Sequence, residues 1–420
     1  MRKVDLLIIG GGSAGLAAAV EAYDRGIRSI IIIERGAELG GILNQCIHNG
    51  FGLGEFKEEL TGPEFAYRFA KQVQDRNIEC HLLSTVTSVT PNKVVTYVNE
   101  EEGSVEVEAK AIIMAAGCYE RNAGAIGVPG DRPAGVLTAG QAQLMINKFG
   151  YLCGKRIFIL GSGDIGLIMA RRFTLEGAKV LGVAEIMPYS NGLNRNIVQC
   201  LNDYDIPLYL SHTVSQVIGK KHVEKVEISQ VDEKFRPIPG TEKVFDCDAL
   251  VLSIGLIPNN TLLSDIGVKV SGTKGAEVDQ DLQTSLPGVF SCGNVLHVHD
   301  LVDNVVKEAR IAGESAARYI QGDLHVEEYV ISCAAKDGVG YILPQHISGS
   351  DYEKVDFKLR VRKPTQNVYI DFIYNGETIK RVFKGVIIPS EMEVISLPLS
   401  LFKEKKGALE VKLTPKEVNQ

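Results

Sequence analysis

The chain has 420 residues, more than a single hydrophobic core usually organises, and its 45% hydrophobic and 23% charged content is that of a globular protein of two or three domains. A net charge of −7 argues against nucleic acid or an anionic membrane surface as partner, and no apolar run reaches the about 18 residues of a membrane span. The eight cysteines stand more than thirty positions apart, which excludes a local dithiol, a zinc ribbon and a clustered iron–sulfur motif; no metal is expected, and the thiols read as reduced in a cytoplasmic protein.

Met1-Arg-Lys leads into apolar residues, but Asp5 and Gly10-Gly-Gly break the stretch and no small-residue cleavage site follows, so it is expected to be fold rather than a secretion signal. Val4–Ile9 reads as a strand, followed by the turn Gly10-Gly-Gly-Ser13-Ala14-Gly15, a helix to about Arg25 and a second strand, Ser29–Glu34. Continuous β-branched runs of this kind suit parallel strands buried on both faces. A polar helix is expected near Gly62–Arg76, a β-meander from Glu79 to Ala109, and a buried strand over Ala111–Gly117. The strand–turn–helix pattern then repeats: Arg156–Leu160, the turn Gly161-Ser-Gly163-Asp164-Ile165-Gly166, a helix to about Glu176 and a strand Val180–Glu185. Ala249–Gly255 and Gly288–Gly293 are further buried strands, and a helix follows from about Asp300 to Ile320. Beyond Asp323, segments such as Lys354–Val361, Val368–Tyr374 and Ile379–Val386 alternate apolar and polar residues, with turns at Asn375-Gly376 and Pro389; residues 324–420 therefore read as an antiparallel β domain, sandwich-like.

The turns carry the chemistry. In Gly-x-Gly-x-x-Gly the first glycine allows a tight turn, the second lets backbone approach a pyrophosphate and the third lets helix pack on strand. The anion then meets the unpaired N–H groups of the helix N-terminus. An acid at the end of the next strand accepts from a ribose hydroxyl. Gly10, Gly12, Gly15 and Glu34 meet these terms, and so do Gly161, Gly163, Gly166 and Glu185. Glu185 would repel a 2′-phosphate and no Arg follows it closely, which favours NAD over NADP.

With two such units, the chain resembles the two-dinucleotide-binding-domain flavoproteins, the superfamily of the pyridine nucleotide–disulphide oxidoreductases, over about residues 4–322. The resemblance implies an α/β fold of two Rossmann-like three-layer domains: an FAD domain (1–122 and 256–323) interrupted by an NAD domain (123–255), with the β domain (324–420) appended. It assigns FAD to Gly10, Gly12, Ser13, Ala14, Gly15, Glu34 and Arg35, to Gly40-Gly41 with Asn44 and Gln45, to Ala115-Ala116-Gly117 and to the second signature ending at Gly293-Asn294. It assigns NAD(H) to Gly161, Gly163, Asp164, Ile165, Gly166 and Glu185 and to Ile254-Gly255. Asn294 departs from the family's usual Asp but can still accept and donate hydrogen bonds.

Family disulphide reductases carry a dithiol either after the Gly-Gly turn or just before the NAD unit; here the first stretch holds only Cys46 and the second only Cys153. The larger ones also use a C-terminal His–Glu pair, a setting that neither His325 nor His346 provides. Cys46 is a candidate redox thiol, His48 a candidate for tuning it or the flavin, and His297 or His299 a candidate for a place beside the flavin. The strings Gly40–Gly52, Arg132–Gln141 and Asn294–Asp303 are similar to the NAD/FAD oxidoreductases found with bacterial glycerol-3-phosphate dehydrogenases, and Pro133–Gly140 also to subunits of sarcosine-oxidase-like and opine-dehydrogenase-like complexes. That likeness implies a hetero-oligomer in which a separate dehydrogenase subunit oxidises the organic substrate and this chain exchanges hydride with NAD(H) through FAD. Two alternatives stand beside it: a single-cysteine NADH oxidase, peroxidase or thiol reductase, and an assembly protein stabilised by FAD. The β domain is expected to fold separately and to serve as an assembly surface.

Overall fold

The β-branched runs form the buried strands expected of them. In a computed structural model that describes residues 1–324, 331–348, 353–402 and 406–416, the fold is α/β, with two Rossmann-like sheets and further antiparallel sheets. His325 lies outside the described residues. The chain divides into one unit of Met1–Cys118 with Pro258–Gln420 and a second of Tyr119–Ile257.

In the first unit, Arg2–Ile9 lies at the centre of a seven-stranded sheet, parallel to Ile30–Ile33 on one side and to Gly103–Met114 on the other. Gly103–Met114 is one twelve-residue strand that serves two roles: its first half pairs antiparallel in the meander, and its second half, through Ile113 and Met114, runs parallel to Val289–Ser291. Helix Ser13–Asp24 is alanine-rich on its packed face, so it and helix Val302–Gln321 approach closely; an added Cβ on Gly313 would meet the carbonyl oxygen of Ala18 at 2.4 Å. Helix Gly62–Asp75 begins on a capping box in which Thr61 and Glu64 satisfy each other's backbone groups.

The β domain of this unit has its own core, with Phe357, Leu359, Ile370, Phe372, Leu409 and Val411 fully enclosed. Lys354–Val361 forms over the residues expected, and Asn375-Gly376, both at positive φ, close the hairpin between Thr365–Tyr374 and Glu377–Ile387. One pair departs from the antiparallel pattern: Ile331–Ala335 runs parallel to Gly407–Pro415, so an early strand of the domain pairs with its last. The second departure is in packing. Leu343 joins the core beneath the seven-stranded sheet rather than that of the β domain, and Gln345 exchanges hydrogen bonds with Val278, its N–H reaching the Val278 carbonyl and its Oε1 accepting the Val278 N–H.

The second unit carries a five-stranded parallel sheet in the order Val136–Thr138, Ala249–Leu252, Arg156–Leu160, Lys179–Glu185, Leu208–Leu210. It also has a three-stranded antiparallel sheet (His212–Ile218, Lys225–Gln230, Lys243–Asp246) and helices Ala139–Phe149 and Asn194–Cys200. Their short segments carry little periodicity, and sequence reading does not find them.

Candidate functional site

The first glycine turn is built by exclusion. A Cβ on Gly15 would lie 1.9 Å from the carbonyl oxygen of Gly10, so only glycine lets the helix seat on the strand. A Cβ on Gly12 would meet nothing within 4 Å. The turn is thus closed where helix meets strand and open where a pyrophosphate would approach the N-terminus of helix Ser13–Asp24. Glu34, buried at the end of its strand, spans the mouth of this cradle. Its Oε2 accepts the Gly11 N–H at 2.7 Å and its Oε1 the Gly36 N–H at 2.6 Å. Gly40 donates its N–H to the Gly11 carbonyl at 2.8 Å, so the Gly-Gly turn is brought to the same edge.

The second unit repeats the arrangement. Glu185 Oε2 accepts the N–H and the hydroxyl of Ser162 at 3.0 and 2.6 Å, and Oε1 accepts the Met187 N–H at 3.0 Å. Ser253 Oγ accepts the Gly166 N–H, and Asp164, on the first turn of its helix, accepts from the Leu193 N–H and the Asn196 side chain. Ile254 and Gly255 follow directly after the neighbouring strand. In the same unit, Asn122, Arg132, Thr138 and Gln141 line a cavity of about 280 Å³.

In the first unit, Ala115 donates its N–H to the Ile9 carbonyl, which sets Ala115-Ala116-Gly117 beside the glycine turn. The second signature reaches it as well: an added Cβ on Gly293 would stand 2.8 Å from the Ala14 Cβ. Asn294 Oδ1 accepts the His299 N–H. Ser13, Ala14, Arg35, Asn44 and Gln45 occupy the same segments, with Asn44 donating to the Leu39 carbonyl. These residues fit a dinucleotide such as FAD: an open second glycine, a helix N-terminus and an acid at the end of the second strand.

Cys46 ends the short helix Gly41–Gln45. Its thiol donates to the Ile42 carbonyl at 3.3 Å, and burial pushes its pKa up to about 12. A thiol so placed is a poor nucleophile at neutral pH. No disulphide joins any of the eight cysteines. His48 packs its ring against Phe51 at 5.1 Å between centroids.

His297 is placed in a buried polar cluster that sequence reading does not foresee. Its Nε2 lies 2.8 Å from Glu308 Oε2 and its Nδ1 3.1 Å from the Tyr341 hydroxyl. The His299 ring packs on it at 4.1 Å between centroids. His299 Nε2 stands 3.4 Å from Glu308 Oε2, and neither ring nitrogen makes a well-formed hydrogen bond among the described residues. Burial pushes His297 down to about 4, so the ring is neutral. Burial would raise the Glu308 carboxyl, but the Lys358 ammonium and then the two imidazoles hold it well below its usual range. The two histidines and Glu308 present ligand atoms within 4.8 Å of one another, a spacing that suits a metal ion. Lys358 already places its cation on Glu308 Oε2, however, and would repel a second one there. We read the cluster as an ion pair with imidazole neighbours. Its one signal in the sequence is a glutamate on the apolar face of a helix, between Val305 and Ala312.

Comparison with known proteins bears on this arrangement. Residues 4–316 match the family model described as pyridine nucleotide-disulphide oxidoreductase. One alkyl hydroperoxide reductase subunit, that of Staphylococcus aureus, is 25% identical over 307 residues, covering 69% of this chain and 54% of that protein. The Pseudomonas aeruginosa counterpart is 27% identical over 305 residues, with coverage of 70% and 54%. The chain thus spans about half the length of the curated relatives it matches. Among solved structures, thioredoxin reductase of T. acidophilum is similar with a TM-score of 0.62 at 23% identity, covering 76% of this chain and 98% of that one. The NAD-dependent persulfide reductase of A. fulgidus has a TM-score of 0.58 at 18% identity, covering 90% and 70%. These structural likenesses speak to the fold.

Proposed function

The chain belongs to the pyridine nucleotide-disulphide oxidoreductase family, whose members are FAD-containing, NAD(P)H-dependent oxidoreductases, and we propose that it holds FAD on the Gly10–Gly15 turn and NAD(H) on the Gly161–Gly166 turn. The observation that carries this is the repetition of one cradle in both units, each with an acid gripping the turn by its second residue. When bound, the two cofactors supply the hydride chemistry. The chain's own contribution is to present helix N-termini to the pyrophosphates, to offer Glu34 and Glu185 to ribose hydroxyls, and to keep Cys46 protonated at neutral pH.

Two readings stand for the other electron partner. The names of the relatives and similar structures, alkyl hydroperoxide reductase, thioredoxin reductase and persulfide reductase, support a thiol, persulfide or disulphide substrate. With no second cysteine near Cys46 in the sequence, that substrate would bring its own sulfur chemistry. The protonated Cys46 favours the second reading, an electron-transfer component that meets a separate dehydrogenase, of which glycerol 3-phosphate oxidation is the example suggested by the Gly40–Gly52 and Asn294–Asp303 strings.

Anaerobic mixing of the yellow protein with NADH is expected to bleach the flavin, and the reduced protein is then offered disulphides, persulfides, peroxide and artificial acceptors. Cys46→Ser should bleach as the parent does. Turnover with a sulfur substrate would establish the thiol reading, with Cys46 taking part only if Cys46→Ser abolishes it, whereas turnover with artificial acceptors alone supports the partner-dehydrogenase reading. A protein that takes up no flavin refutes both.

A further inference from the structure

Among the contacts of the β domain with the cofactor fold, two cations come from one face of one strand. In Lys354–Val361 the alternation sends Val355, Phe357, Leu359 and Val361 into the domain's own core. The opposite face carries Lys358 and Arg360. Lys358 forms an ion pair with Glu308, and Arg360 pairs with Asp300 while also donating to the Val298 carbonyl at 3.2 Å. The backbone N–H of Met392 adds a bond to Asp300 Oδ2 at 2.9 Å. The segment from Gly293 to Glu308 is therefore clamped by cations two residues apart on a single strand.

Glu308 links this clamp to the cofactor turn. Its side chain is fully enclosed, Oε2 faces Lys358 and His297, and Oε1 accepts the Gly293 N–H at 2.8 Å. Gly293 in turn lies against Ala14, on the first turn of the dinucleotide-binding helix. A buried carboxylate accepts strongly from an N–H only while ionised, and it stays ionised in a low-dielectric setting only with a countercharge.

We propose that Lys358 of the β domain is a positioning residue for the cofactor: by pairing with Glu308 it holds the Gly293 turn against the first turn of helix Ser13–Asp24, so that FAD binding depends on a residue outside the Rossmann-like fold. This rests on the FAD reading above. The groups facing Glu308 are His297, His299 and Cys292 from the preceding segment and Tyr341 and Lys358 from the β domain. Of these Lys358 sets its ammonium directly on Glu308 Oε2, whereas His297 is neutral above about pH 4.

The test compares FAD affinity of the apoprotein across pH 5.5–9. The parent should bind FAD with a flat profile. Lys358→Met leaves burial unopposed, so Glu308 protonates within the range, and the FAD dissociation constant should rise about tenfold per pH unit below the new pKa. Lys358→Arg should restore the flat profile. Should Lys358→Met fail to fold, the Lys358→Met, Glu308→Gln pair removes both charges, and it should bind FAD more weakly than the parent with no pH dependence. A flat, parent-like profile for Lys358→Met, or parent affinity in the double variant, overturns the role of Lys358 and leaves the FAD reading standing. A parent that binds no FAD overturns both.

Discussion

Glu185 holds Ser162 twice, by its N–H at 3.0 Å and by its hydroxyl at 2.6 Å on the same carboxylate oxygen. The corresponding residue in the other cradle, Gly11, has no hydroxyl and bonds to Glu34 through its N–H alone. The Glu185 carboxylate is therefore fixed more fully, with Ser162 Oγ also accepting the Asn191 N–H. A fixed anion at this place favours a free ribose diol and repels a 2′-phosphate.

NADH is thus expected to reduce the flavin faster than NADPH at limiting concentration. Glu185→Ala should lose about 1.5–3 kcal/mol of NADH binding, the worth of a charged hydrogen bond, and narrow the preference. Ser162→Ala should weaken NADH less, because the backbone N–H remains. Stopped-flow bleaching at matched concentrations reads both. A parent preference for NADPH would reject the assignment of Glu185.

The two glycines of the first turn should separate folding from binding. Gly12→Ala adds a methyl where nothing stands within 4 Å, at a φ of −78° that alanine accepts. The apoprotein should keep its thermal midpoint but bind FAD at least about tenfold more weakly, through crowding of the anion site. Gly15→Ala forces a contact with backbone and should cost about 1–3 kcal/mol of stability, or more, before any cofactor is added. Thermal melts of apoprotein with and without FAD distinguish the cases. Equal destabilisation by both would show that the space over Gly12 is needed by the fold itself.

A buried acid at the edge of the first unit should give a pH signature. Asp279 accepts the N–H groups of Asp281 and Gln283, both at 3.0 Å, and burial, then the nearby Asp281, pushes its pKa up to about 7. Its folded pKa is raised above the unfolded value. Its contribution to stability is therefore fullest at acid pH and is lost as pH rises through about 7. Asp279→Asn keeps an oxygen for the two N–H groups and cannot ionise. The advantage of the variant over the parent in thermal midpoint should grow as pH rises from about 4 to about 7 and then level off. A variant that is less stable at pH 8 would show that the carboxylate form is the one the site prefers.

Much of this is legible in the chain. Ile30–Ile33 and Ala249–Leu252 declare buried parallel strands by their continuous apolar runs, and the glycine spacing with Glu34 and Glu185 locates both cradles. The grip of Glu185 on Ser162 is hidden, because the middle residues of such a turn are free to vary and a serine there has no distinctive spacing. Helix Ala139–Phe149 escapes notice although Thr138 caps it, since its apolar pattern is weak and Gly140 reads as a turn. The cluster of His297, Glu308, Tyr341 and Lys358 is beyond sequence reading for a different reason. Its members span more than sixty positions and come from two layers, so no local period joins them.

That cluster changes the expectation for a shortened chain. From the sequence, the residues beyond Gly322 read as a separately folding assembly surface, with both glycine turns upstream of it. In the structure they supply Lys358 to Glu308, Tyr341 to His297, Arg360 to Asp300, Gln345 to Val278 and Leu343 to the first core. Ending the chain at Gly322 would strip the countercharge from an enclosed carboxylate, a loss of about 3–5 kcal/mol when one member of a buried pair is removed. The truncated protein is expected to be less stable and to retain less flavin than the full chain. Introducing Glu308→Gln into the truncated chain should recover part of the stability, because an amide needs no countercharge, while the Leu343 packing remains lost. Flavin-to-protein ratio after gel filtration and the thermal midpoint read these effects, and co-elution with any dehydrogenase partner is scored separately. A truncated chain with full flavin and an unchanged midpoint would return the β domain to a pure assembly role, and one that Glu308→Gln fails to improve would place the loss in apolar packing rather than in the Lys358–Glu308 pair.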